Sequence, residues 1–79
     1  MNNLRDDEFL RKFGLHIKSV RESKDYTQEK LALEMGVEIS QISRIERGKI
    51  NSSICTIKAI ANSLNIPLKD LLDFEIEVK

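Results

Sequence analysis

The chain has 79 residues, one cysteine, and 13 basic against 13 acidic side chains, so its formal net charge is zero. One thiol excludes an intramolecular disulfide and a zinc knuckle. No apolar run is long enough to span a membrane, and the start MNNLRDDEF lacks the apolar core of a signal peptide. The length points to a single domain, residues 1–79, with a small core, and the lone thiol is consistent with a reducing, cytoplasmic setting.

The first predicted helix runs from about Asp6 to Ser23. Asp6, Asp7 and Glu8 put negative charge in its first turn, where the helix dipole favours it. Phe9, Phe13, Ile17 and Val20 form its apolar stripe. Gly14 interrupts the helix at a cost of about 0.5–1 kcal/mol relative to alanine, which close packing against another helix would explain.

Thr27 suits the N-cap of a second helix that opens at Gln28 and carries Leu31, Ala32 and Met35 on one face. Gly36 stands where that helix must stop, in a position suited to left-handed backbone. A third helix follows with Ile42 and Ile45 inward, ending near Gly48. A small residue where two helices cross (Ala32), a glycine at a sharp turn (Gly36) and a branched apolar residue facing the first helix (Ile42) together describe a helix-turn-helix. At about 100° per residue, Ser40, Ser43, Arg44 and Arg47 point away from Ile42 and Ile45. That outer face suits a DNA major groove, where arginine pairs with guanine and serine meets several base edges.

After the loop Lys49–Ser52, Ser53 caps a fourth helix with Ile57, Ile60, Ala61 and Leu64 inward, and Asn65 ends it. Pro67 suits the first turn of a short fifth helix, Leu68–Asp73. The domain core therefore covers about residues 6–73. In the tail, residues 74–79, Phe74, Ile76 and Val78 alternate with charged residues. The tail reads either as a strand pairing across a dimer or as a disordered end.

The stretches T-Q-E-x-L-A and I-S-R-I-E-R-G-K, with Gln28, Leu31, Ala32, Gly36, Val37, Ile42, Ile45, Glu46 and Gly48, resemble the DNA-binding unit of the lambda-repressor/Cro-type (xenobiotic-response-element) regulators. The likeness runs from about Phe13 to Leu72. It implies an all-α, compact five-helix lambda-repressor-like fold, with the helix-turn-helix formed by the second and third helices. It also implies a structural ion pair between Arg21 and Glu46, with a fifth helix near the partner of a homodimer. Leu68, Leu71 and the tail are then candidates for the dimer surface.

Contacts to DNA divide into those that position and those that specify. The positions matching the family's base-reading residues are Glu38, Ile39, Ser40 and Arg44. Ile39 meets a thymine methyl or completes the core, and Glu38 accepts from cytosine N4 or caps the helix. For the DNA backbone the candidates are Thr27, Gln28, Ser43, Arg47, Lys49 and Asn51. Gln28 opens the second helix, where free amides attract phosphate. Residues 1–35 carry seven basic and seven acidic side chains, residues 36–62 four and two, and residues 63–79 two and four. This is a weak electrostatic footprint for a DNA-binding protein.

His16 reads as a surface or boundary residue, since no second ligand accompanies it. Cys55, in the first turn of the fourth helix, reads as a small packed apolar residue. No metal site, cofactor, small-molecule ligand or nucleophile motif is implied, so the expectation is a non-enzyme. The functional expectation is a sequence-specific regulator of transcription that binds a palindromic operator in double-stranded DNA as a homodimer. The alternative is a protein-interaction module, antitoxin-like or anti-repressor-like, that keeps the fold with little DNA binding. Small members of the resembled family include phage repressors, controller proteins of restriction–modification systems and antitoxins, and the residues do not choose among them.

Overall fold

A computed structural model describes residues 4–75, and all the regular structure among them is helical: α1 (Asp7–Ser23), α2 (Gln28–Met35), α3 (Ile39–Glu46), α4 (Ile54–Ser63) and α5 (Leu68–Leu71). Three of the helices begin in the same way. The side chains of Asp6, Thr27 and Ser53 accept from the backbone N–H three residues on, at 3.0, 3.0 and 3.1 Å. Each satisfies a donor that the first helical turn leaves free. Asp6 is therefore the cap of α1, and the helix proper starts at Asp7.

Four helix ends also share one device. After α1, α2, α3 and α4 the chain turns left-handed at Asp25, Gly36, Gly48 and Asn65, with φ between 59° and 71°. The next residue's N–H reaches back to the carbonyl five residues earlier: Tyr26 to Arg21, Val37 to Ala32, Lys49 to Arg44 and Ile66 to Ala61. This is the Schellman arrangement, which satisfies the last carbonyls and reverses the chain within two residues. Asp and Asn tolerate the left-handed region better than other side chains, because their short polar groups bond locally.

The core gathers Phe13 and Ile17 of α1, Leu31 and Ala32 of α2, Ile42 and Ile45 of α3, Ile57, Ile60 and Ala61 of α4, Leu64, and Leu71 of α5. Phe9 and Val20 complete the α1 stripe from half-buried positions, and Leu10 is buried beside it. α2 packs on α3 and α4, α1 on α3 and α5, and α4 on α5. Gly14 marks the crossing of α1 and α3. A Cβ placed there would lie 2.5 Å from the carbonyl oxygens of both Ile45 and Glu46. Only a bare Cα lets these two helices approach so closely.

The C-terminal part corrects several expectations. The fifth helix ends at Leu71, not Asp73, and Pro67 is its N-cap with ψ of 145°, outside the first turn. Leu71 is fully buried within the protomer, so its side chain belongs to the core and not to a dimer surface. Leu68 is half-buried against that core. Cys55 is exposed, not packed, because the buried stripe of α4 runs through Ile57, Ile60 and Ala61. Phe74 folds back onto α1, its ring 5.7 Å from Phe9 and 6.0 Å from Phe13. His16 is a boundary residue. Its ring lies tilted against Phe74, and Nε2 lies 2.7 Å from the Asp70 carbonyl, tying α1 to α5. The remainder of the tail, Ile76 to Lys79, lies outside the described residues.

Candidate nucleic-acid interface

The outer face of α3 is positioned from behind by a buried polar cluster. Arg21 reaches across from the end of α1 to Glu46 in the last turn of α3. Its Nε donates to Oε2 at 2.6 Å and its Nη2 to Oε1 at 3.0 Å. The remaining guanidinium nitrogen, Nη1, donates to the Tyr26 carbonyl at 2.7 Å. Gln28 Nε2 adds a donor to Glu46 Oε1 at 2.9 Å. One carboxylate thus ties together α1, the start of α2 and the end of α3. Both ion-pair partners are buried, their side chains 7% and 2% exposed. The bond to Glu46, opposed by desolvation, raises Arg21 above arginine's already high pKa, so it stays charged throughout the working pH range. A bidentate fork of this kind is both strong and directional.

Locking one side of α3 presents the other to solvent. Glu38, Ile39, Ser40 and Arg44 are exposed, and Ser43 is half-buried between the two faces. Glu38 sits at the N-cap of α3, but its side chain makes no capping bond. Ile39 is 43% exposed and lies outside the core cluster. The open alternatives for these two residues, helix cap and core filler, are therefore not taken up. The Arg44 side chain makes no hydrogen bond or ion pair with any described residue. Arg47 closes α3 with its Nε 3.4 Å from the Ser43 carbonyl, and Lys49 and Asn51 stand exposed on the loop that follows.

The candidates on α2 divide differently. The Thr27 hydroxyl is engaged in capping α2, and the Gln28 side chain is held by Glu46. What these two positions offer outward is mainly the backbone of the helix start.

Two residues absent from the sequence-based set also lie here. Arg5, just before α1, and Arg11, within it, border one cleft with Arg47, Gly48 and Lys49. Arg5 Nη2 donates to the Lys49 carbonyl at 2.9 Å. No local signal announces this juxtaposition, because the residues are about forty positions apart in the chain.

Comparison with known proteins agrees with the geometry. A helix-turn-helix family profile matches residues 17–71. The control protein C.BamHI of Bacillus amyloliquefaciens is 44% identical over 63 residues, which cover 78% of each chain. The crystal structure of the restriction-modification controller protein C.AhdI from Aeromonas hydrophila superposes with a TM-score of 0.78. It is 34% identical, covering 81% of this chain and 97% of that one. The controller protein C.Esp1396I, solved as a tetramer in complex with its natural 35 base-pair operator, superposes with a TM-score of 0.72. It is 29% identical, covering 86% of this chain and all of that one. The chain belongs to the helix-turn-helix family.

Proposed function

We propose that this helix-turn-helix protein is a sequence-specific, double-stranded-DNA-binding regulator of transcription that acts as a homodimer, with α3 as its recognition helix. One observation carries the reading. Every polar contact on the inner side of α3 serves to hold it in place, while Ser40, Arg44 and Ile39 on its outer side are exposed and outside the core. An arginine without an internal partner, flanked by a short hydroxyl and an aliphatic side chain, matches the guanine, mixed-edge and thymine-methyl contacts of a major groove. The likeness to controller proteins, one of them solved on its operator, supports the same conclusion.

In this reading Glu38, Ile39, Ser40 and Arg44 meet base edges. Ser43, Arg47, Lys49 and Asn51 meet the phosphate backbone. Thr27 and Gln28 contribute the N-terminal amides of α2, where the helix dipole attracts a phosphate. A helix of eight residues reads few base pairs, so two half-sites about one helical turn apart supply the specificity.

A dimer must cover apolar surface. Ile54 and Leu72 are 63% and 43% exposed, and both border an apolar groove of about 260 Å³ between α1 and α4. This groove is the face we assign to the second copy. An Ile54→Asp or Leu72→Glu chain that still sediments as a dimer would remove the assignment.

Selection of bound duplexes from a random pool at moderate salt tests the function itself. The expected result is a palindromic motif with half-sites about ten base pairs apart. A folded sample that enriches no motif would overturn the reading.

A further inference from the structure

The charge census by segment gives residues 1–35 no surplus at all. The fold changes that result. Arg5 and Arg11 of the α1 region are brought against Arg47 and Lys49, which follow α3, and among the described residues that border the cleft Asp7 is the one carboxylate. Four cations against one anion form a local positive site in a chain with no net charge.

The site is a specific arrangement of backbone as well as of side chains. Gly48, with φ of +71°, packs directly on α1, so that a Cβ there would lie 2.6 Å from the Arg11 Cα and 2.8 Å from its N. The loop after α3 is therefore seated on α1, with Arg11 beside it. Arg5 is anchored at both ends of its fork, with Nε 2.6 Å from Asp7 Oδ1 and Nη2 2.9 Å from the Lys49 carbonyl. The Arg11 side chain makes no hydrogen bond or ion pair with the described residues and stands exposed at the cleft.

We propose that the cleft of Arg5, Arg11, Arg47 and Lys49 is a phosphate clamp for the DNA backbone, extending the contact surface from the recognition unit onto α1. The inference rests on the DNA-binding reading and deepens it. In the proposed reading Arg47 and Lys49 meet the DNA backbone, and Arg11 borders the same cleft, so a strand held by them lies beside Arg11. Arginine's planar fork suits a phosphate through two bonds. Because these contacts fall on the backbone, they position the protein and carry no sequence preference.

Counterion release makes the proposal measurable. Each phosphate neutralised contributes about 0.9 to the slope of log affinity against log salt. Wild-type protein is titrated first, on the duplex selected above and on an unrelated duplex, between 50 and 200 mM salt (roughly the range over which such slopes are read). Absence of salt-dependent binding here would overturn the DNA-binding reading before any variant is made.

Given binding, Arg11→Ala is expected to lower the slope by about one on both duplexes, leaving the selected motif unchanged. Arg11→Lys is expected to keep the slope, because the charge remains. Asp7→Asn is expected to tighten binding to both duplexes, because it removes the carboxylate that competes with phosphate. An unchanged slope for Arg11→Ala, with wild-type melting temperature, would overturn the clamp and leave the recognition face standing. A change in motif without a change in slope would overturn it as well. Replacement of single phosphates by neutral methylphosphonates then locates the contact. One position should weaken the wild type and leave Arg11→Ala indifferent, and the lack of any such position counts against the proposal.

Discussion

Arg21 and Arg44 stand on opposite sides of the same helix interface. Arg21 is buried, and Nε, Nη1 and Nη2 each donate a hydrogen bond within the protein. Arg44 is exposed, and its side chain bonds to no described residue. The two differ not in chemistry but in place: Arg21 of α1 bonds on the inner side of α3, and Arg44 projects from its outer side. The inner face holds the helix at a fixed angle and depth through Arg21, Glu46, Gln28 and the close approach at Gly14. The outer face, with Glu38, Ile39, Ser40 and Arg44, stays exposed and outside the core, and it is the face proposed to meet DNA. A recognition surface needs this division: side chains that read another molecule must remain unpartnered at home, yet their backbone must not move.

The largest effect is expected from breaking the inner side. Arg21→Met leaves Glu46 buried without its cation and should cost about 3–5 kcal/mol, enough to unfold much of so small a domain. Thermal melting reads this directly, at about 4–8 °C per kcal/mol. The double replacement of Arg21 and Glu46 by Met should be milder than the single one, since no uncompensated charge remains. A double variant that melts lower than Arg21→Met would show that the pair is not the element that matters.

Gly14→Ala attacks the same face by steric means. The added methyl falls 2.5 Å from two backbone oxygens that cannot rotate away, so α1 and α3 must separate. A loss of about 2–3 kcal/mol is expected, towards the upper end for overpacking. An unchanged melting temperature would mean that the helix crossing is looser than the structure has it.

Arg44→Ala probes the outer side and should behave in the opposite way. Its melting temperature should stay within experimental error, while discrimination at one base-pair position falls by about 1–3 kcal/mol. If affinity and sequence preference both survive, the recognition-face assignment is lost.

The smallest effect is expected at Gly36, in the turn that joins the two recognition-unit helices. A Cβ there meets nothing within 4 Å, and the backbone angle, φ of +70°, is the whole objection to alanine. Gly36→Ala should cost about 1–2 kcal/mol of stability. The contrast with Gly14, where space and not the backbone angle excludes a side chain, separates two reasons for a glycine that sequence alone does not distinguish.

Much of the fold was legible from local signals. Thr27 and Ser53 cap the helices they were expected to cap, and Gly36 is left-handed. The apolar spacing placed Ile17, Leu31, Ile42, Ile57 and Ile60 in the core. These signals act within one or two turns of chain, so the residues that carry them and the structure they cause are neighbours. Glu46 is a different case. Its pairing with Arg21 came from family likeness, because nothing local says that a glutamate at the end of one helix will be buried under an arginine twenty-five residues earlier.

The same distinction separates what the sequence determined from what only packing decided. Capping residues, left-handed stops and helical periodicity set where each helix begins, ends and turns its apolar side. They act through backbone donors, backbone sterics and the 3.6-residue repeat, all of which are short in range. The burial of Leu71, the tie between His16 and Asp70, and the meeting of Arg5 and Arg11 with Arg47 and Lys49 depend on how α1 and α5 are laid across the rest. Charges far apart in the chain cancel when counted by segment. They add where the fold brings them to one cleft, because electrostatic attraction depends on distance through space and not along the sequence.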